Sequence, residues 1–381
     1  MQVFTLIREV FSRKASIDWV LISAALSVVF LGLITMNAFI GANLYFDKQL
    51  ISLTVAIIAF SLATQVDTDM LRRTNVLVTL FIIMSALLLI LFGVGHIAKG
   101  AQSWFKVGLF AFQPADAMKL ILVLILAKYF SRRHVEIANF RHILVSGFYA
   151  FVPFILVLLQ PDFGSAMIIF FIWFGMILVS GVSKRHISLV FLVGSLVFAG
   201  LWVEVLKPYQ KDRVLTFVYP MSDRLGTGYN AYQSTIAVGS GQIVGKGVGY
   251  GTQSHLRFLP EYQTDFIFSA FAEEWGFVGV AILFGLFIVI IWRILTIALV
   301  GATNFEMLYG AGVAIYFIAH FFVNIGMTIG LLPVTGVTVP FMSFGGSHLL
   351  IEFVALGLLV SMKRNARPAH RSALSNEFLG V

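Results

Sequence analysis

The stretch LPEYQTDFIF, residues 259–268, joins a polar segment to an apolar one and places two acids, Glu261 and Asp265, at the junction. The polar segment runs from Lys207 to Asp265 and holds ten charged side chains, eight glycines and three prolines. The residues on either side of it are largely hydrocarbon. Because an unpaired backbone is not tolerated in lipid, a polar run of this length must lie outside a bilayer. The junction therefore predicts a membrane helix that begins beside carboxylates, and we expect the chemistry there.

The whole chain has the composition of a polytopic membrane protein. Of its 381 residues, 59% are hydrophobic and 12% are charged, and the mean hydropathy is +0.94, whereas soluble domains are roughly one quarter charged. The net charge of +8 fits basic residues at helix ends and does not indicate nucleic acid. The absence of cysteine excludes disulfides and thiolate metal sites. We expect one all-α membrane domain over residues 1–381, without a cleaved signal at its N-terminus.

Apolar runs predict ten membrane helices, and the basic residues predict their orientation. The predicted spans are about 18–40, 49–65, 75–95, 114–130, 143–159, 164–181, 188–206, 266–299, 305–330 and 345–362. With the N-terminus inside, the inner segments carry sixteen Lys and Arg residues and the short outer loops carry three. Both termini, 1–17 and 363–381, are therefore predicted to be cytoplasmic, the latter as a mobile tail. Residues 207–265 become a large extracytoplasmic loop between helices 7 and 8.

Charged residues within or beside predicted spans are costly in lipid and are the first candidates for function. Asp116 and Lys119 lie three apart at the start of the fourth span, so one helix face presents both. They are either a mutual ion pair or substrate contacts, and the first does not exclude the second. Asp162, in a Pro-containing turn, is either a helix cap or a cavity residue. Asp265 is either the N-cap of the eighth span or a functional acid. All of them map to the outer half of the membrane.

Other polar features receive more ordinary interpretations. Trp104 lies in an outer segment and is typical of an interfacial aromatic belt, with a functional role as the alternative. The run GSGQIVGKGVGYG, residues 239–251, lacks the spacing of a phosphate-binding loop. It is predicted to be a flexible outer loop whose amides and Lys246 could still contact an anionic head group. Glu273 and Glu274, within the eighth span, are predicted to serve packing or helix pairing.

Five ordered segments carry a family resemblance over nearly the whole chain. They are SWFKVGLFAFQPADAMKL (103–120), LLQPDFGSA (158–166), YNAYQSTIAVGSGQIVGKG (229–247), GTQSHLRFLPEYQTDFIFSAFAEEWGFVG (251–279) and NIGMTIGLLPVTGVTVPFMSFGGSHLL (324–350). With these segments the chain resembles the SEDS family (shape, elongation, division and sporulation). LRFLPE, FAEEWGFVG and NIGM before GLLPVTG are more similar to the rod-shape branch of the family than to its division branch.

The resemblance implies a peptidoglycan glycosyltransferase, a multi-pass protein of the bacterial cytoplasmic membrane. Such proteins polymerise lipid II at the outer face of the membrane and work with a class B penicillin-binding protein. The resemblance also implies a divalent cation, Mg²⁺ or Mn²⁺, with unidentified ligands, and no nucleotide. Asp265 matches the essential acid of the family's TDF motif. The substrate-binding candidates are Trp104, Lys119 and Asp162, which match family positions, together with Asp116 and the neighbouring acid Glu261.

Several positions depart from the family pattern without removing the acid. Asp116 replaces the usual glutamate, Ala115 the usual serine, Gln263 a histidine, and Phe344 and His348 alter the usual SYGGSS. The resulting hypothesis makes Asp265 the general base that takes a proton from the acceptor sugar's 4-hydroxyl, worth roughly 10²–10⁴-fold in rate. The hydroxyl then displaces undecaprenyl pyrophosphate from the donor and forms β-1,4 glycan.

Two other classes of function compete with the enzyme. A lipid II flippase or other transporter would use the same intramembrane charges to line a path. No inverted repeat is visible, however, and the polar groups gather on one side instead of at mid-membrane. A non-catalytic scaffold that activates its penicillin-binding partner is disfavoured by the cost of placing acids in a cavity.

Overall fold

The structure, a computed structural model, describes residues 17–38, 43–94, 96–98, 101–107, 110–132, 140–181, 227–256 and 258–379, with isolated positions between 188 and 211. The described helices are α1 (Trp19–Asn37), α2 (Asn43–Ala63), α3 (Thr68–Leu71), α4 (Thr74–Val94), α5 (Pro114–Ser131), α6 (Phe140–Leu159), α7 (Phe163–Val179), α8 (Thr227–Ser240), α9 (Thr252–His255), α10 (Ile267–Leu299), α11 (Asn304–Thr328) and α12 (Gly346–Leu379). The predicted span 188–206 and residues 207–226 lie almost entirely outside the described residues.

Seven helices in the described part of the chain are long and apolar enough to cross a membrane: α1, α2, α4, α6, α10, α11 and α12. Helix α7 is apolar but shorter, with 17 residues. Helix α5 carries three charged residues and is shielded from lipid by its neighbours. The protein is therefore a largely helical, multi-pass membrane protein. Apart from 188–206, each predicted span overlaps one described helix.

Helix α5 lies at the centre of the bundle. Every residue from Pro114 to Ala127 is buried, and the helix contacts α4, α6, α7, α11 and α12. A helix that is buried on all sides belongs to the interior of a large membrane protein. This position explains how α5 can carry Asp116 and Lys119, because protein surrounds both side chains where lipid would not tolerate them.

Helix α10 is broken at Gly276, where φ is +64° and ψ is −166°. A break frees backbone groups that would otherwise pair within the helix, and in a membrane these groups need partners. The glycine-rich loop supplies them. The amides of Phe277 and Val278 donate to the carbonyls of Gln242 and Ile243, at 2.9 and 3.0 Å. A Cβ at position 276 would lie 2.2 Å from the loop backbone, so only glycine permits this approach.

A second irregular segment, residues 331–345, joins α11 to α12. Its residues 339–343 are buried, and polar side chains from the surrounding helices bind its backbone groups. Asn324 Nδ2 donates to Val337 O at 2.6 Å, Glu352 Oε2 accepts from Phe341 N at 2.8 Å, and Gln49 Nε2 donates to Ser343 O at 3.1 Å. Non-helical backbone is tolerated at membrane depth only where protein provides such partners.

Two expectations about regions between the spans are wrong. The all-α prediction misses three antiparallel strands after α4, in the order β1 (His96–Ala98), β2 (Ala101–Val107) and β3 (Phe110–Phe112), which pair backbone groups that no helix satisfies. The glycine-rich run 239–251, predicted to be a flexible outer loop, lies largely between α8 and α9 and is bound to α10 through the hydrogen bonds described above. The predicted tail, residues 363–381, continues α12 as far as Leu379, and its mobility stays a prediction.

The starts of α10 and α12 and the end of α11 lie at one end of the bundle, where Ser343 Oγ donates to Thr264 O at 2.8 Å and Asn324 Nδ2 donates to Asp265 O at 2.8 Å. At the opposite end, Asp18 precedes α1 and is held by two basic residues. Arg293 Nε donates to Asp18 Oδ1 at 3.1 Å, and Lys363 Nζ donates to Asp18 Oδ2 at 2.8 Å. The first and last membrane helices are thereby joined at the end that lies away from Asp265.

Candidate active site

The first two turns of α5 hold a buried ion pair. Lys119 Nζ lies 3.0 Å from Asp116 Oδ1, and the two residues are 2% and 3% exposed. Pro114 at the first helical position sets the start of the helix, and three-residue spacing then brings both side chains to one face. The ion-pair interpretation of these residues is confirmed. The lysine charge is therefore balanced within the protein.

Two residues of α12 extend this ion pair into a network. His348 Nδ1 lies 3.6 Å from Asp116 Oδ1, and His348 Nε2 lies 2.9 Å from Glu352 Oε1. The His320 ring of α11 lies 4.8 Å from the His348 ring, centroid to centroid. All of these side chains are buried. The network thus joins three helices around Asp116.

The sequence reasoning missed His348 and Glu352 as members of the site. Glu352 is a carboxylate within the predicted tenth span, so the rule that singled out Asp116 also applied to it. His348 was noted only as a departure from a family motif. Its spacing from Glu352, i to i+4 on a helix, was the signal that the two side chains pair.

Asp162 has a structural role and also contacts α5. It is the N-cap of α7, where Oδ1 accepts from Ser165 N at 2.9 Å. Its other oxygen, Oδ2, accepts from Gln113 Nε2 at 2.8 Å, and the Gln113 amide donates to Ser347 Oγ at 3.1 Å. The helix-cap interpretation is confirmed. Because Gln113 directly precedes α5, the start of that helix is fixed to both α7 and α12.

Asp265 does not cap α10. The N-cap residue is Phe266, which makes no side-chain capping bond, so the N-cap interpretation of Asp265 is wrong. The Asp265 carbonyl instead accepts from Asn324 Nδ2 of α11 at 2.8 Å. Its carboxylate faces segment 331–345, where a Cβ at Gly336 would lie 3.5 Å from Asp265 Oδ2. Asp265 is therefore held through its backbone by a tertiary hydrogen bond, and its carboxylate is not the N-cap of α10.

Glu261 shapes the turn that delivers Asp265. Its φ is +50°, its carbonyl accepts from Thr264 N and Phe266 N, both at 3.1 Å, and its Oε2 accepts from Thr264 Oγ1 at 3.0 Å. A positive φ at a non-glycine residue is uncommon and is held here by these bonds. Glu261 therefore stabilises the turn that precedes Asp265.

Trp104 lies on β2, half-buried, opposite His96 of β1. The sheet continues through β3 to Gln113 and α5, so the tryptophan belongs to the same side of the protein as the ion pair. The structure places it in a hairpin, which the sequence did not predict. Whether it contacts a substrate stays a prediction.

Segment 331–345 brings the remaining candidates together. Gly164 of α7 packs so closely on it that a Cβ there would lie 2.5 Å from Thr335 O. One residue along, Gly336 faces Asp265, and the segment ends at α12 with His348. Asp265, the Asp162 cap and the Asp116–Lys119 pair therefore surround one irregular segment at one end of the bundle.

Glu273 and Glu274 anchor the glycine-rich loop, which corrects their interpretation as packing or helix-pairing residues. Glu273 Oε1 accepts from Lys246 Nζ at 2.7 Å and from Thr252 Oγ1 at 3.0 Å, and it also accepts from the Gln253 amide at 3.0 Å. Glu274 Oε1 accepts from the Gly249 amide at 3.1 Å. The loop amides and Lys246 that were considered for an anionic head group are therefore occupied by the protein's own carboxylates.

Comparisons with known proteins agree with this architecture. The family described as cell cycle protein (FTSW_RODA_SPOVE) matches residues 14–368. Stage V sporulation protein E of Bacillus subtilis (strain 168) is 35% identical over 370 residues, covering 93% of this chain and 99% of that protein. Peptidoglycan glycosyltransferase MrdB of Escherichia coli (strain K12) is 38% identical over 296 residues, covering 78% of each chain.

Solved structures give the same result. A chain from a peptidoglycan synthase complex, solved in work on the coordination of polymerization and crosslinking, superposes with a TM-score of 0.79 at 30% identity, covering 92% of this chain and 98% of that one. The rod shape determining protein RodA of Thermus thermophilus superposes with a TM-score of 0.68 at 28% identity, covering 91% and 97%. The chain belongs to the SEDS family, which contains the FtsW, RodA and SpoVE proteins.

Proposed function

We propose that this chain is a peptidoglycan glycosyltransferase that polymerises lipid II into β-1,4 glycan strands during cell elongation. It would act at the outer face of the bacterial cytoplasmic membrane, with ten spans, cytoplasmic termini and an outer loop before α10. The observation that carries the proposal is the position of the Asp265 carboxylate. It faces segment 331–345, which also contacts the helices of Asp162 and Asp116, in a chain whose relatives are named peptidoglycan glycosyltransferases.

Asp265 is the proposed general base. The acceptor sugar's 4-hydroxyl gives its proton to the Asp265 carboxylate while its oxygen bonds to the anomeric carbon of the donor. The bond from that carbon to the pyrophosphate oxygen breaks, and undecaprenyl pyrophosphate leaves with the electron pair. Attack from the face opposite to the leaving group inverts an α-linked donor to a β-linked product. Base assistance of this type contributes roughly 10²–10⁴-fold.

Lys119 is the proposed cation near the leaving pyrophosphate. Because Lys119 Nζ donates to Asp116 at 3.0 Å, phosphate oxygens must share the ammonium with that carboxylate. His348, 3.6 Å from the same Asp116 oxygen, can stabilise Asp116 when Lys119 turns towards substrate. This arrangement supports charge stabilisation without leaving an unpaired cation in the resting protein.

A divalent cation is a further part of the proposal. Among the described residues, no group of three or more His, Cys, Asp or Glu is arranged to hold a metal ion, so the donor set does not fit an all-protein metal site. Mg²⁺ is often bound by one or two carboxylates together with substrate phosphates, and the pyrophosphate would supply the remaining oxygens here. No step described above depends on this cation.

The proposed protein partner is a class B penicillin-binding protein that crosslinks the new strands. The support is the superposition on a chain from a peptidoglycan synthase complex concerned with both polymerization and crosslinking. The experiment that tests the function supplies lipid II to the purified chain, alone and with that partner, and resolves the products by length. Long glycan strands are expected with both present. No product longer than lipid II under either condition would refute the activity.

A further inference from the structure

A polar cavity lies at the end of the bundle away from Asp265. It occupies about 480 Å³ where α5 and α10 end and α11 begins. Its polar lining consists of Arg72, Lys128, Ser131, Arg132, Thr303 and Asn304. Three of these six residues are cations, and nothing in the proposed glycosyltransfer uses them.

Two of the three cations are not neutralised by the described part of the chain. Arg72 pairs with Asp69 at 3.3 Å, and Lys128 Nζ donates to the Arg72 carbonyl. Among the described residues, no carboxylate oxygen lies within 4.0 Å of a side-chain nitrogen of Lys128 or Arg132. Like charges that share a cavity repel one another, and an anion bound between them removes this cost.

The nearby acid Glu306 does not fill this role. It is 4% exposed, and its Oε2 accepts from the Ala302 amide at 2.6 Å. The start of α11 also offers a hydroxyl to a ligand. Thr303 is the N-cap residue but makes no side-chain capping bond, and its buried Oγ1 has no hydrogen-bond partner among the described residues. A hydroxyl beside two cations at the start of a 25-residue helix suits a phosphate group.

The surroundings of the cavity indicate that the phosphate belongs to a lipid. Leu299 lines the cavity and is 76% exposed, so hydrocarbon begins directly beside the cations. Helix α5 has 18 residues, which places its charged end about 27 Å from its start. This distance is close to the thickness of a bilayer's hydrocarbon core. The cavity is therefore at the head-group level of the leaflet opposite to Asp265.

We propose that this cavity binds the phosphate of an anionic phospholipid, with Lys128 and Arg132 paired to the phosphate oxygens and Thr303 Oγ1 donating to one of them. The acyl chains run along Leu299 into the bilayer. Basic pockets between membrane helices on the cytoplasmic side bind lipid head groups. Each basic residue raises the affinity roughly fivefold. The site is independent of the catalytic proposal.

Native mass spectrometry of the purified full chain in detergent tests the site. The probes are phosphatidylglycerol, phosphatidylcholine and inorganic phosphate, each titrated separately. The wild type should bind phosphatidylglycerol most tightly. The double variant Lys128→Ala, Arg132→Ala should bind it roughly thirtyfold more weakly. Arg73→Ala is the matched control, because Arg73 is exposed, adjacent to Arg72 in sequence, and not part of the lining.

Three results would overturn the proposal: equal binding by the double variant and the wild type, an equal loss in Arg73→Ala, or saturation by inorganic phosphate at the concentrations that suffice for phosphatidylglycerol. The last outcome would assign the cavity to a free anion. Gel filtration and a melting curve without added lipid establish that each variant is folded. If the alanine variant does not fold, Lys128→Gln with Arg132→Gln keeps side-chain volume and removes the same charges.

Discussion

Replacing Glu273 by glutamine should release the glycine-rich loop from α10. The buried carboxylate accepts a charged bond from Lys246 at 2.7 Å, a hydroxyl bond from Thr252 at 3.0 Å and an amide bond from Gln253 at 3.0 Å. Glutamine keeps one acceptor oxygen, loses the charge and adds a donor that faces these donors. Bonds to charged groups contribute about 1.5–3 kcal/mol each. Since Lys246 is partly exposed and its share is screened, we expect a net loss of about 3 kcal/mol in the stability of the loop.

Hydrogen–deuterium exchange measures this loss directly. A change of about 3 kcal/mol in local opening corresponds to roughly 150-fold faster exchange of the loop amides. Glu274→Gln is the matched control, because Glu274 accepts a neutral bond from the Gly249 amide at 3.1 Å that an amide oxygen can also accept. The reasoning would be refuted if residues 245–254 exchanged at wild-type rates in Glu273→Gln, or if both variants accelerated exchange equally.

Two further predictions concern the helix break and the end of the bundle away from Asp265. Gly276→Ala should destabilise the protein by about 3 kcal/mol, because its φ is +64° and the new Cβ would lie 2.2 Å from the loop backbone. Gly285→Ala, with no atom within 4 Å of its Cβ, should leave the melting temperature unchanged or raise it. For Asp18, burial raises the pKa, but bonds from two basic residues outweigh it and lower the pKa to about 2. A depressed pKa contributes stability above the unfolded value of 3.8, lost as pH falls from about 4 to 2. The melting-temperature difference between wild type and Asp18→Asn should shrink across that window, and a constant difference would contradict it.

Sequence reasoning works best where a local rule decides the structure. The spacing of Asp116 and Lys119 predicts their ion pair, because residues three apart share a helix face. The turn before α7 likewise predicts a cap at Asp162. Apolar runs locate helices reliably, since lipid leaves the backbone few other choices.

Sequence reasoning fails where segments that are distant in the chain provide each other's hydrogen-bond partners. The residues next to Gly276 in the sequence do not predict a break in α10, because the break is stabilised by a loop about thirty residues earlier in the chain. Glu273 would be a costly charge within a membrane span without the hydrogen-bond donors of that loop. Glu352 similarly depends on an irregular segment whose free amides the sequence does not reveal. In each case the polar side chain is bound by the irregular backbone and stabilises it, so neither can be predicted without the other.

The position of Asp265 also depends on distant segments. The functional role that its sequence context suggests stays a prediction, and the helix-cap alternative is wrong because α10 begins two residues later. The structure instead holds its carbonyl with Asn324 and turns its carboxylate to Gly336. The Asp265 carboxylate is therefore not used as the N-cap of α10.

The most direct test of the account is glycan polymerisation by Asp265→Asn. Asparagine keeps the size of the side chain but cannot accept the acceptor hydroxyl's proton, so the rate should fall by roughly 10²–10⁴-fold. Asp69→Asn is the control, since that carboxylate is 74% exposed and pairs with Arg72 away from the site. Both variants should melt like the wild type and bind the penicillin-binding partner. Wild-type polymerisation by folded Asp265→Asn would contradict the assignment of the base.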